Sequence, residues 1–129
     1  MKLLILLSIV ALVVADEKYT TENDDLDIEA VVSDKDQLLA FFGCFMDTSA
    51  CNDVMADFKT IKIIGLFTED LPEAIQQACV KCTPAQKHIL RRYLEVLKEK
   101  QPQEYATFTT KFDPDHKYFT NLETAIANA

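Results

Sequence analysis

Four cysteines, Cys44, Cys51, Cys79 and Cys82, are the most reactive side chains in this sequence. Cys79 and Cys82 stand as C-x2-C, the spacing of a redox dithiol, but no β-α-β pattern surrounds them to frame one. Four thiolates could also hold zinc, yet thiols that meet an oxidising compartment pair with each other instead. His88 and His116 fall in separate stretches without ligand spacing, so each reads as a surface residue. The carboxylates of Asp24, Asp25, Asp34, Asp36, Glu69, Asp70 and Glu104 read as solvated faces. No G-x-S-x-G, H-E-x-x-H or glycine-rich phosphate loop is present. These residue types point away from an enzyme and imply neither cofactor nor metal. What remains is apolar chemistry, carried by eight phenylalanines and four tyrosines. Most of these must fill a core. Some of Phe41, Phe42, Phe45, Phe58, Tyr93, Tyr105, Phe108 and Tyr118 could instead line a cavity between helices.

The chain that must position them has 129 residues, 49% hydrophobic, with a formal charge of −8. That length predicts one domain. The acidic balance leaves no basic patch for a phosphate backbone, so nucleic acid is excluded as a partner. Two glycines are too few for a turn-rich β-sandwich. Residues 1–15, MKLLILLSIVALVVA, show one lysine, an apolar run and a small closing residue, the pattern of a secretory signal peptide. A membrane span needs about 20 apolar residues, and Asp16-Glu17-Lys18 stops this run first, so stable membrane insertion is not expected. The mature protein is then a single acidic domain over residues 16–129, soluble and extracellular. In that compartment four cysteines imply two disulfides. Three pairings are open; spacing suggests Cys44–Cys51 and Cys79–Cys82. Each would close a short local loop worth about 2–2.5 kcal/mol and steady a helix end.

Helix signals dominate the mature chain. Residues 16–25 are polar and read as an extended arm, and Leu26 to Val32 suits a short helix. Ser33 before Asp34 predicts an N-cap, followed by a helix bearing Leu38, Leu39, Phe41, Phe42 and Phe45. A helix opens at Asn52-Asp53 and carries Val54, Met55 and Phe58. In Ile61 to Phe67, β-branched residues and partial alternation leave strand and helix in competition. Pro72 suits the first turn of a helix through Ile75 and Ala78. Thr83-Pro84-Ala85-Gln86 predicts a capping box with proline at the first helical position. The helix beyond it presents Ile89, Leu90, Tyr93, Leu94, Val96 and Leu97. Pro102 opens a helix with Tyr105, Phe108 and Phe112, Asp113-Pro114-Asp115 turns, and a last helix runs near Lys117 to Ala127. The expectation is an all-α fold of about six helices with little or no sheet.

Several motifs, in this order, resemble one family: Tyr19-Thr20-Thr21, Cys44-x6-Cys51, Leu71-Pro72-Glu73-Ala74, Cys79-Val80-Lys81-Cys82-Thr83, Gln101-Pro102-Gln103-Glu104-Tyr105 and Lys111-Phe112-Asp113-Pro114. They are similar to the insect chemosensory proteins, also called OS-D-like or insect pheromone-binding proteins. The resemblance covers nearly all of the mature chain. It implies six helices around an apolar channel and sequential disulfides, here Cys44–Cys51 and Cys79–Cys82. It implies non-covalent carriage of fatty acids, long-chain pheromone components or plant volatiles, without catalysis. A carrier of that kind is a monomer in sensillum lymph or haemolymph, with a sensory receptor as further partner. The alternative is a secreted developmental or signalling protein acting through a partner surface. The channel residues implied here are Tyr19, Leu38, Phe41, Phe42, Phe45, Phe58, Ile75, Leu90, Tyr93, Leu94, Leu97, Tyr105, Phe108 and Tyr118. Phe41 stands where the family usually has tyrosine, so a ligand hydrogen bond from that position is lost.

Two departures stand out. Glu22 and Asn23 replace the lysine and second tyrosine of the family's opening motif, removing both as anchors for the arm. The stretch between Cys51 and Cys79 is also longer than the family pattern, and the excess falls within residues 60–69. Two readings of this insert stay open. It is a lid beside the channel mouth, or it is translated intron sequence missing from the secreted protein.

Overall fold

The computed structural model describes residues 23–63 and 66–129. The expected signal peptide and Tyr19 lie outside the described residues. Seven helices are found among them: α1 Ile28–Val32, α2 Lys35–Phe45, α3 Asp53–Lys59, α4 Asp70–Gln76, α5 Pro84–Lys100, α6 Pro102–Phe112 and α7 Phe119–Ile126. The expected six become seven through the single-turn α1. The contested stretch resolves as a hairpin, β1 Thr60–Ile63 against β2 Leu66–Glu69, antiparallel with Thr60 opposite Glu69 and Ile63 opposite Leu66. Its β-branched residues and two-residue loop suit this pairing better than a helix. The hairpin joins α3 to α4 and is the one sheet among the described residues.

Local chemistry sets the helix starts. At Thr83 the capping box forms: its hydroxyl accepts from Gln86 N, and Gln86 Oε1 accepts from Thr83 N. The cap of α2 is Asp34 and not the expected Ser33; Asp34 Oδ1 accepts from Asp36 N at 2.9 Å, and Ser33 instead closes α1. Both residue types cap well, and a one-residue offset separates them. The last helix begins at Phe119, two residues later than expected, because buried Asp113 holds the preceding turn. Its carboxylate accepts from the backbone N–H groups of Lys117, Tyr118 and Phe119 at 2.7, 3.0 and 3.1 Å. Burial pushes the Asp113 pKa up, but these donors and nearby His116 outweigh it and hold the group below its ordinary value.

Both local disulfides form, Cys44–Cys51 across the end of α2 and Cys79–Cys82 between α4 and α5. Helix α5 is central and packs against α1, α6 and α7. Its buried residues Ile89, Tyr93, Leu94, Val96 and Leu97 meet Leu38, Ile75, Phe108 and Leu122 in one core. An aromatic series runs through that core. Phe41, Phe45, Tyr93 and Phe108 make successive edge contacts at 6.0, 5.6 and 5.9 Å between ring centroids. Phe108 continues it to Phe112 and Phe119.

Candidate functional site

An apolar cavity of about 60 Å³ opens along one side of this aromatic series. Five helices wall it. Ile28 comes from α1, Phe41 and Phe45 from α2, Phe58 from α3, and Leu71 and Ala74 from α4. Gln86, Ile89, Leu90 and Tyr93 come from α5, with Cys82 beside them. The α5 residues recur at three- and four-residue spacing, so one stripe of the helix forms one wall. Phe58, Gln86 and Leu90 are half-buried, while Tyr93, Phe41 and Phe45 are buried. The cavity is therefore closed at the Tyr93 end and more open near Phe58 and Leu90. No charged side chain lines it among the described residues.

Polar ties hold the walls together. Arg92 grips Glu29 through two hydrogen bonds, 2.6 Å to Oε2 and 2.8 Å to Oε1, and so fastens α1 to α5. Such an exposed pair adds at most about 1 kcal/mol and mainly fixes geometry. Asp47, in the loop after α2, pairs with Lys59 of α3 and with Lys111 of α6. Hydrogen bonds from Lys59 first, then Lys111, lower the Asp47 pKa to about 2. The arm's described end is also tied: Asn23 donates to Asp57, and Asp24 accepts from the Thr83 hydroxyl. Asn23 thus bonds across to α3 from the position where the family motif has tyrosine.

Of the side chains expected at the site, Phe41, Phe45, Phe58, Leu90 and Tyr93 line this cavity. Leu38, Ile75, Leu97 and Phe108 are fully buried core residues away from its lining, with Phe108 packed behind Tyr93. Phe42 is half-buried against the core. Leu94 and Tyr105 face a different hollow, shared with the charged Arg91, Glu95, Lys98 and Glu123. There the Tyr105 hydroxyl donates to Glu123 at 3.0 Å and Lys98 lies over its ring. Burial and that carboxylate raise the Tyr105 pKa to about 12. Tyr118 is half-buried and precedes α7, its backbone N–H bound by Asp113. The reason for these differences is architectural: α6 and α7 buttress α5 from behind and do not reach the cavity. The sequence reading left out Ile28, Leu71, Ala74, Cys82, Gln86 and Ile89 as lining residues. Ile89 was legible as part of the α5 stripe; the others needed the packing of α1, α4 and the disulfide loop.

Among the described residues, no group of three His, Cys, Asp or Glu side chains could hold a metal ion, and no helix is long and apolar enough to cross a membrane.

Residues 19–120 match the model of the insect pheromone-binding family, A10/OS-D. The chain is 27% identical over 120 residues to ejaculatory bulb-specific protein 3 of Drosophila melanogaster, covering 92% of this chain and 88% of that protein. It is 31% identical over 121 residues to allergen Tha p 1 of Thaumetopoea pityocampa, covering 92% and 89%. Among solved structures, a chemosensory protein in complex with bromo-dodecanol superposes with a TM-score of 0.70 at 26% identity, covering 83% of this chain and 98% of that one.

Proposed function

The chain belongs to the insect pheromone-binding family, A10/OS-D, and from that premise we propose that it is a secreted carrier of small apolar molecules, held non-covalently between its helices. The observation that carries this reading is the uncharged cavity walled by five helices. A core filled by side chains would have favoured the partner-surface reading. The bromo-dodecanol bound by the similar solved protein is also a chain-like, uncharged molecule. Residues 1–15 fit removal on export, leaving Asp16 as the first residue.

The cavity's size sets the mechanism. At about 60 Å³ it holds roughly four to six water-sized probes. A long alkyl chain needs more room, so binding requires the lining to move outward. The half-buried Phe58 and Leu90 are the side chains with space to do so. Burying about ten methylenes at roughly 0.8 kcal/mol each gives about 8 kcal/mol gross. Ordering the ligand and opening the walls subtract from that, which leaves micromolar affinity and ready release. One methylene discriminates weakly, so selectivity for chain length is broad. With no charge in the wall, neutral heads such as alcohols, aldehydes and esters bind better than ionised carboxylates, whose burial is costly.

Displacement of a fluorescent apolar probe tests this. C12–C18 alcohols and esters displace it at micromolar concentration, and the corresponding acids do so better at pH 4 than at pH 8. Failure of every C12–C18 compound refutes the carrier reading. The chain has no tryptophan, so an external probe is required.

A further inference from the structure

We infer that the Tyr93 hydroxyl is the anchor for a neutral oxygen at the head of the bound chain, which enters head first. This deepens the carrier reading and rests on it. Tyr93 lines the cavity and is 4% exposed. Its Oη is buried and has no hydrogen-bond partner among the described residues. Buried polar atoms are nearly always satisfied, so an orphan at a cavity wall points to a partner that is not part of the chain.

The hydroxyl has no visible structural use. The Tyr93 ring packs edge-on against Phe45 at 5.6 Å and Phe108 at 5.9 Å, and a phenylalanine ring would make both contacts. The other polar side chain in the lining is Gln86, and its Oε1 is already engaged with Thr83 N in the capping box. Burial pushes the Tyr93 pKa far up, so the hydroxyl stays protonated and can both donate and accept. An alcohol, aldehyde, ketone or ester oxygen matches that capacity. A carboxylate would be left with a single partner and an uncompensated charge.

Position gives the direction of entry. Gln86, Leu90 and Tyr93 lie along one stripe of α5, half-buried at Gln86 and Leu90 and buried at Tyr93. The seven residues from Gln86 to Tyr93 span roughly 10 Å of helix. A molecule whose oxygen reaches Tyr93 therefore lays its first carbons along Ile89 and Leu90 and its tail toward Phe58.

The experiment compares the full secreted chain with Tyr93→Phe in probe displacement by dodecan-1-ol and by 1-chlorododecane, which has the same chain but no hydroxyl. Tyr93→Phe weakens dodecan-1-ol about 3- to 10-fold, the worth of one hydrogen bond in such surroundings. It leaves 1-chlorododecane unchanged, and the free variant melts no lower than the parent. Equal effects on both ligands, or none on either, overturn the proposal while leaving the carrier reading intact. If neither ligand displaces the probe from the parent chain, the carrier reading falls and the anchor falls with it. An independent check uses the parent chain labelled with 13C at tyrosine Cζ. One resonance shifts with dodecan-1-ol and not with 1-chlorododecane; no difference between the two ligands overturns the proposal.

Discussion

Phe45→Ala probes the cavity wall and the core together. Phe45 is 6% exposed, and its ring stands between Phe41 and Tyr93 at centroid distances of 6.0 and 5.6 Å. Truncating a buried phenylalanine to alanine costs about 3–5 kcal/mol. One side of this ring already borders the cavity and has fewer contacts to lose, which places the cost near the lower end, about 3 kcal/mol. The two edge contacts account for about 1–3 kcal/mol of the full range. For a domain of this size 1 kcal/mol moves Tm by about 4 °C, so the variant melts about 12 °C below the parent. Dodecan-1-ol then raises the Tm of the variant more than that of the parent, because ligand carbons occupy the space the ring has left. Thermal unfolding followed by circular dichroism, with and without the alcohol, reads both effects. A Tm within about 3 °C of the parent would refute the packing. A full loss with equal ligand protection in both proteins would show that the ring does not border the binding site.

Other consequences are local. Alanine for Gly43 should stabilise a helix interior by about 1 kcal/mol. Here the new Cβ runs into Ser49 Oγ and lies 3.2 Å from Ser49 Cβ, in a loop closed by the Cys44–Cys51 disulfide. Gly43→Ala therefore lowers the urea midpoint by an amount equivalent to about 1 kcal/mol, and adding Ser49→Gly restores it; a more stable single variant contradicts this. Asp47 and Asp113 both have folded pKa values below those of the unfolded chain. Their stabilisation is whole above about pH 4 and fades as pH falls toward 2. Asp113→Asn flattens that decline in a urea midpoint series, and an unchanged slope would exclude Asp113 as a source. Residues 60–69 form a registered hairpin joining α3 to α4, which supply Phe58 and Leu71 to the cavity. We expect the intact mass of the secreted protein to include them and to begin at Asp16. A mass short by residues 60–69 would establish the intron reading.

Where a signal is local, the residues disclose the fold. Thr83, Pro84 and Gln86 carry the start of α5 on their own, because a capping box needs only neighbouring groups. The cysteine spacing likewise suggests pairs that local loops can close. The candidate site is legible only in part, since periodicity shows which face of a helix is apolar but not what that face meets. Leu97 and Leu90 lie on the same apolar helix; one is at the centre of the core and the other at the cavity. Tyr105 is apolar by pattern, yet its hydroxyl finds Glu123, eighteen residues away, and turns toward a charged hollow. Asp34 displaced Ser33 as a cap by one position, a choice that side-chain type does not decide. Tyr93 had a signal that could have been used: a hydroxyl among Ile89, Leu90, Leu94 and Leu97 needs either a partner or a purpose.

The central claim is that one uncharged chain molecule binds between the first five helices. Native mass spectrometry of the secreted protein, offered a mixture of C12–C18 alcohols and esters at tens of micromolar, measures this most directly. The expected spectrum shows one ligand per chain, with several chain lengths represented and the Phe45→Ala variant shifted toward longer ones. A spectrum of the bare protein alone, with both disulfides intact, would contradict it.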